Sequence, residues 1–403
     1  MNRLSQRRAY ALVTAVIGLA LLASATPSPL YGTYRELWGF SPAVLTLVYA
    51  TYAFGVLAAL LLAGRISDEV GRRPVLIVSL STLLATSVLF MVANSVAWLF
   101  VARGLQGLAT GLALGAASAA MLDLHARRDP AGVGLANGVV SATGMGLGVL
   151  VASAIVEWLP APRVLPYVAL FVFFAITLVG AIRMPEPVAE RTRARLTPQR
   201  PRVPAGVRRP FLLAALAVLS SWSVGGLFLS LGPQLTATLF HSTDHLVAAL
   251  GAFVLSGTGA VAQLALGNRM APWRGAAYGS VALGVGVLVI VASASTDSGA
   301  LLLVGAVIGG AGFGLAFLGA LRQLTGVIPP HHRAEVMSAF YVVAYASLSL
   351  PAVAAGFLVS PMGLEPTFEL FGSIAAAIAF VVAIEAWRTR PVDARRTRRP
   401  VPA

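Results

Sequence analysis

Twelve sparsely charged apolar runs of about twenty residues or more constrain this chain more than anything else in it, because a helix of that length crosses the hydrocarbon core of a bilayer. Helical spans are expected at about residues 10–31, 42–64, 75–93, 96–124, 133–158 and 164–183. Six more are expected at about 211–236, 246–268, 276–294, 300–324, 335–360 and 367–387. Between the two sets of six, residues 184–209 hold five prolines and seven arginines and read as an extended, solvated linker. The pattern predicts an all-α integral membrane protein of twelve transmembrane helices in two pseudo-symmetric six-helix bundles, 1–183 and 210–387, with the linker at 184–209 and a basic tail at 388–403. A soluble fold is excluded, since 403 residues that are 58% hydrophobic and 11% charged cannot cover a globule of that size with polar surface.

Charge placement orients the spans. All 29 basic residues are arginine; 25 fall in segments on one side, Arg35 and Arg163 on the other, and Arg103 and Arg322 within spans. By the positive-inside rule both termini are expected in the cytoplasm. The net charge of +14 is then topogenic, and the arginines at 191, 193, 195, 200 and 202 need no nucleic-acid or lipid ligand. There is no cysteine, and the histidines at 125, 241, 245, 331 and 332 sit in loops or at span ends, so no metal site and no cofactor is expected. With no convergent acid, histidine or cysteine set, an enzyme is excluded as well. Arg3, Arg7 and Arg8 followed by an apolar run and Ala23-Ser24-Ala25 imitate a cleavable leader. An internal repeat argues for keeping the first span: Ser24-x-x-Pro27 recurs 206 residues later as Ser230-x-x-Pro233 in span 7.

The charged island from Gly64 to Leu76 has room only for a tight turn between spans 2 and 3. Gly64 and Gly71 are expected to relax the backbone there, and Pro74 suits a first helical position. Asp68 lies among Arg65, Arg72 and Arg73, placed to pair with an arginine or to cap a neighbouring helix. Ser41-Pro42 reads as an N-cap with a first-turn proline opening span 2. Gly107, Gly111 and Gly115 in span 4, Gly134, Gly138, Gly144 and Gly148 in span 5, and Gly305 and Gly309 in span 10 form small-residue faces for close helix packing. Arg103 stands about two turns inside span 4, where a bare guanidinium costs several kcal/mol, so it faces protein or water. Ser338, Tyr341, Tyr345 and Ser349 share one face of span 11, and Thr46, Tyr49 and Tyr52 form a looser stripe on span 2.

The spacing of Gly64, Asp68, Gly71, Arg72 and Arg73 resembles the loop signature of the major facilitator superfamily, with Glu69 standing where that family usually has a basic residue. Leu99-x-x-x-Arg103-x-x-Gln106-Gly107 is similar to the family's fourth-helix motif, in which the arginine is associated with proton coupling and the glutamine with its hydrogen-bonded setting. The resemblance implies the major facilitator fold and an inner-gate latch built of Gly64, Asp68, Gly71, Arg72, Arg73 and Asp123, with Asp68 reaching the start of span 11 near Glu335. It also implies a central cavity lined by spans 1, 4, 7 and 10 and flanked by 2, 5, 8 and 11. Ser24, Thr26, Tyr49, Tyr52, Trp222, Ser230, Gln234, Gln263, Ser338, Tyr341 and Tyr345 are the candidate lining residues. Gly144-Met145-Gly146-Leu147-Gly148 keeps the glycines of the exporters' fifth-helix signature without its proline.

The expected function is therefore secondary active transport by alternating access, as a proton-coupled exporter of small organic molecules, with import of a small nutrient by symport or uniport as the alternative. A non-transporting sensor lacks an output domain. No Asp or Glu lies at the centre of a span, which removes a fixed acidic site for cationic drugs and favours neutral, zwitterionic or anionic substrates. The expected partners are the bilayer of a bacterial inner membrane and a small-molecule substrate, with the proton gradient as energy source and a monomer as the expected state.

Overall fold

The computed structural model describes residues 3–64, 66–126, 129–188, 200–329 and 332–390. The charges expected at Arg65, Arg127 and Arg128, His331, the linker arginines 191–195 and the tail from 391 lie outside these residues. The helices are α1 (Gln6–Ala25), α2 (Leu30–Trp38), α3 (Pro42–Ala63), α4 (Ile66–Glu69), α5 (Arg72–Met91), α6 (Val96–Leu124), α7 (Pro130–Trp158) and α8 (Leu165–Arg183). They continue as α9 (Arg208–Ser230), α10 (Gly232–Leu239), α11 (His245–Leu266), α12 (Pro272–Ser295), α13 (Gly299–Val327), α14 (Arg333–Met362) and α15 (Leu364–Arg388). Twelve of the helical segments are long and apolar enough to cross a membrane. Each falls on an expected run, so the boundaries shift by only a few residues except in spans 1 and 7.

Those two spans are longer than expected and broken, α1 from α2 and α9 from α10, and both breaks fall on the repeated Ser-x-x-Pro. Proline has no N–H, so the carbonyl four residues before it loses its intrahelical donor. In span 1 that carbonyl belongs to Ala23. The Ser28 amide then bonds Ala25 rather than Ser24, which frees the Ser24 carbonyl as well. In span 7 the orphan is the carbonyl of Leu229. What satisfies these groups decides much of the interior chemistry.

Within the first half α1 packs on α6 and α7, α3 on α6, and α5 on α6 and α8; within the second, α9 packs on α13, α14 and α15, and α12 on α13 and α15. The halves meet chiefly along α3 with α14 and α7 with α11, which are spans 2 with 11 and 5 with 8. Glycine permits the closest of these approaches. A Cβ on Gly107 would stand 2.2 Å from the Tyr52 carbonyl, and one on Gly144 2.3 Å from that of Gly18. Gly111, Gly148 and Gly305 meet neighbouring backbone in the same way, while Gly309 makes ordinary contact with Gly286. Gly115 and Gly134 face open space and are not part of a seam.

The expected turn geometry holds in part. Ser41 caps α3 by accepting the Val44 amide at 3.4 Å, with Pro42 following. Gly64 ends that helix at φ −58, a conformation open to any residue, so its glycine is not required there. Gly71 is required: its φ is +106, and a Cβ there would stand 2.5 Å from the Glu186 carboxylate. Pro74 is the third helical residue rather than the first, where its missing N–H still costs nothing because the first four amides lack intrahelical partners.

Candidate functional site

Arg103 is only 1% exposed and lies inside the first half against the break in span 1. Its Nη1 donates to the Ser24 carbonyl at 2.9 Å and to Gln106 Oε1 at 2.8 Å, and Gln106 Nε2 donates to the Ala23 carbonyl at 3.0 Å. The pair separated by one helical turn in span 4 therefore takes up both carbonyls freed at the break. A cation at a helix C-terminus also meets the negative end of its dipole, worth about 0.3–1 kcal/mol at exposed sites and more when buried. The Tyr52 ring lies 4.5 Å from the guanidinium carbon and the Tyr49 ring 5.8 Å, so the cation is further stabilised by π faces. Arg103 forms none of the ion pairs found among the described residues. Its Nε and the hydroxyls of Tyr31 and Tyr49 are buried without a hydrogen-bond partner.

The other expected lining residues divide. The hydroxyls of Ser24, Thr26 and Ser230 bond back to carbonyls of their own helices at 2.7–2.9 Å, as buried helical hydroxyls commonly do. Ser349 does the same to Tyr345 at 2.7 Å. Trp222 sits edge-on to Tyr345 at 5.4 Å and tilted on Phe317 at 5.6 Å, forming an aromatic wall in the second half, next to which Tyr341 packs on Phe340. Ser338 is buried one turn before Tyr341. Gln263 lies in the seam between the halves, donating to the Gly314 carbonyl at 3.2 Å while its Oε1 rests on Gly138. Gln234 is not in the interior: α10 carries it outward, where it is exposed and accepts from Arg35 at 3.3 Å.

At the charged end, Arg72 joins Asp123 at 3.1 Å, Asp68, and the Ser67 hydroxyl at 2.9 Å. Asp68 is 58% exposed and pairs within its own half; Glu335 pairs with His332 at 3.1 Å in the other. The expected bond between Asp68 and the start of span 11 is therefore not made in this arrangement. Arg73 donates to the Ile182 carbonyl. The organising group was hidden in the expected linker: Glu186 accepts the Arg72 amide at 2.9 Å and the Arg73 amide at 3.0 Å, capping α5 across a gap of over a hundred residues.

At the opposite end, polar contacts cross between halves. The Ser28 hydroxyl donates to the orphaned Leu229 carbonyl at 2.5 Å. Arg35 reaches Gln234 as above, and Glu157 accepts both the His245 amide at 3.0 Å and its ring Nδ1 at 2.8 Å. Thr46 of span 2 fills the space beside Gly356 of span 11. Ser28, Glu157, His245 and Glu186 were missed because their partners are remote in sequence, and Tyr31 because only the fold brings it near Arg103. Thr110 was legible, since it lies seven residues after Arg103 on the same helical face and is wholly buried near Tyr52.

Two six-helix halves, each opening with a proline-broken helix and meeting along paired spans, define a polytopic membrane transporter rather than an enzyme. The chain belongs to the Major Facilitator Superfamily, whose family model matches residues 13–352. A stretch of 102 residues is 35% identical to multidrug resistance protein MdtL of Klebsiella pneumoniae (strain 342), covering 25% of this chain and 26% of that protein. MdtL of Escherichia coli O157:H7 is 35% identical over 100 residues, again 25% and 26% of the two chains. The similarity thus spans about a quarter of these curated relatives. The fold matches the solved structure of the human organic anion transporter MFSD10 (TETRAN) with a TM-score of 0.68 at 18% identity, over 94% of this chain and 100% of that one.

Proposed function

We propose that this transporter works by alternating access and exports small organic molecules in exchange for protons across a bacterial inner membrane, with both termini cytoplasmic. One observation carries the reading. The hydrogen bonds described between the halves, Ser28 to Leu229, Arg35 to Gln234 and His245 to Glu157, gather at one end, opposite the Asp68–Arg72–Asp123 cluster. Halves that are each cross-bonded internally and clamped to one another by a few polar contacts at one end are built to part there. In the opposite state Asp68 exchanges Arg72 for the start of span 11, which makes Asp68, Arg72 and Asp123 the latch at the charged end.

The proton step follows from what the spans contain. An arginine keeps its proton in any protein environment, so Arg103 is a fixed charge and not a proton carrier. The acids lie only near helix ends, so coupling runs through the gates at the two ends, while the bonds of Arg103 and Gln106 rearrange with the state of the gates. The partial similarity to multidrug resistance proteins favours export over import.

The test uses the full chain in proteoliposomes with an imposed pH gradient, an internal pH dye, and 2-naphthamide, norfloxacin and 2-naphthoate as neutral, zwitterionic and anionic probes. Antiport requires that one probe move against the proton and discharge the gradient. Movement of probe and proton in the same direction establishes symport, and gradient-independent behaviour of all three overturns coupled transport.

A further inference from the structure

We propose that the buried cluster of Arg103, Tyr31 and Tyr49 is an anion receptor and that the ligand it fits is an amphipathic carboxylate with a flat, preferably aromatic body. The inference rests on the transport reading, whose substrate class it names. Four observations point the same way.

First, the cluster holds an excess of positive charge. Arg103 is buried, always protonated and outside every described ion pair, and the Ser24 carbonyl and Gln106 Oε1 supply only neutral acceptors to one of its nitrogens. A buried charge met only by dipoles is poorly compensated, and a mobile anion would complete it.

Second, the unused hydrogen-bonding capacity is clustered. Arg103 Nε and the hydroxyls of Tyr31 and Tyr49 have no partner, and both tyrosines lie within electrostatic reach of the guanidinium. Buried donors without partners each cost about 1–3 kcal/mol, so the group that satisfies several at once binds with that return. A planar two-oxygen acceptor matches a guanidinium edge, and phenolic hydroxyls donate to the same oxygens.

Third, a cationic ligand is disfavoured. Every Asp and Glu of the chain lies at a span end or outside the spans, so the interior has no carboxylate to receive an ammonium.

Fourth, the opposite wall is aromatic. Trp222, half-buried, with Tyr345 edge-on to it and Phe317 tilted against it, presents a cluster of aromatic rings in the second half. Tyr345 belongs to one continuous apolar cluster with Tyr49 and Tyr52, and Trp222 packs against it. An anionic head on the first half and a flat body on the second places the ligand across the line where the halves separate, so occupancy bears directly on the gate.

The test measures binding without any gradient. The full chain in lipid nanodiscs is titrated calorimetrically with 2-naphthoate, 2-naphthamide and 2-naphthylmethylammonium, which share a body and differ in head charge, and with acetate, which lacks the body. The carboxylate should bind at least about tenfold more tightly than the amide or the ammonium, the factor for one hydrogen bond to a charged group. Tyr49→Phe and Tyr31→Phe keep ring and packing, so they should fold normally and each weaken 2-naphthoate about tenfold while leaving the amide unchanged. Trp222→Ala should weaken 2-naphthoate and not acetate. Equal affinity for the three heads, or carboxylate preference untouched by both tyrosine variants, overturns the proposal. Carboxylate-selective, tyrosine-dependent binding without gradient-driven flux would retire the transport reading and leave this one standing. Coupled flux of the amide or norfloxacin without selective binding of 2-naphthoate would do the reverse.

Discussion

Ser28→Ala removes one hydroxyl and strands one carbonyl, which makes it a sharp test of how the halves are clamped. Pro233 deprives the Leu229 carbonyl of its helical donor, and Ser28 supplies the replacement from the other half at 2.5 Å, with both residues buried. A net hydrogen bond is worth about 0.5–1.5 kcal/mol, rising to about 1–3 kcal/mol if the carbonyl is left dry and unpaired. Conformations of a two-state protein differ by a few kcal/mol, so this loss shifts the balance away from the clamped state by about two- to tenfold. The chain has no cysteine, which permits a single reporter. Thr46→Cys sits at a wholly buried position against Gly356 in the same clamp and should react with a maleimide only when the halves part. The Ser28→Ala background should raise the labelling rate two- to tenfold, roughly, on the same arithmetic, while Ser28→Thr, which keeps a hydroxyl, should not. An unchanged rate in a correctly folded Ser28→Ala protein would refute the clamp.

Three other outcomes are expected. Arg103→Lys keeps a cation but loses the planar fork that spans Ser24 and Gln106, so it should insert normally, lose gradient-driven flux and retain exchange without a gradient; full coupling in this variant would remove Arg103 from the coupling step. Glu186→Gln should lower thermal stability by about 0.5–1 kcal/mol through loss of a negative charge at the start of α5, and Glu186→Ala by about 1–2 kcal/mol, with flux at permissive temperature preserved; equal melting temperatures would show that the cap is idle. Reporter fusions at residues 195 and 403 should both read cytoplasmic, and a periplasmic reading at either would reverse the charge-based orientation.

Periodicity and charge were enough to place the spans, because each bilayer crossing is written locally as a run of apolar residues. The Arg103–Gln106 pair was legible for the same reason: both lie on one face of one helix, and a buried guanidinium announces itself in an apolar run. What could not be read is what depends on remote backbone. Glu186 looked like linker because nothing near it shows that α5, over a hundred residues away, begins with two bare amides. Gln234 looked like lining because it follows Ser230 in an apolar run, and only the break at Pro233 turns it to the surface. The bond expected between Asp68 and the start of span 11 is not made, because Asp68 pairs with Arg72 in its own half and Glu335 with His332 in the other. Gly115 and Gly134 extended a glycine pattern beyond the contact it serves.

The repeat that kept span 1 in the fold also explains why the halves are not equivalent. Both copies carry Ser-x-x-Pro, and both prolines orphan the carbonyl four residues earlier, Ala23 in one half and Leu229 in the other. In the first half span 4 answers with Gln106 and Arg103, so the break is sealed internally and its carbonyls are satisfied whatever the second half does. Span 10, the counterpart of span 4, has glycines at 305, 309, 310, 312 and 314 and no polar arm in that stretch. Leu229 is left to find a donor across the interface, and Ser28 provides it. One break is thus sealed within its own half around a buried charge, and its twin is bonded across the line between the halves. Placing Gln or Asn at Gly312 would not restore symmetry, because a Cβ there meets span 9, with the Leu283 amide 2.1 Å away. Close packing of span 10 on span 9 excludes the polar arm at Gly312, and that exclusion leaves the second half's carbonyl to be met by Ser28 from the first half.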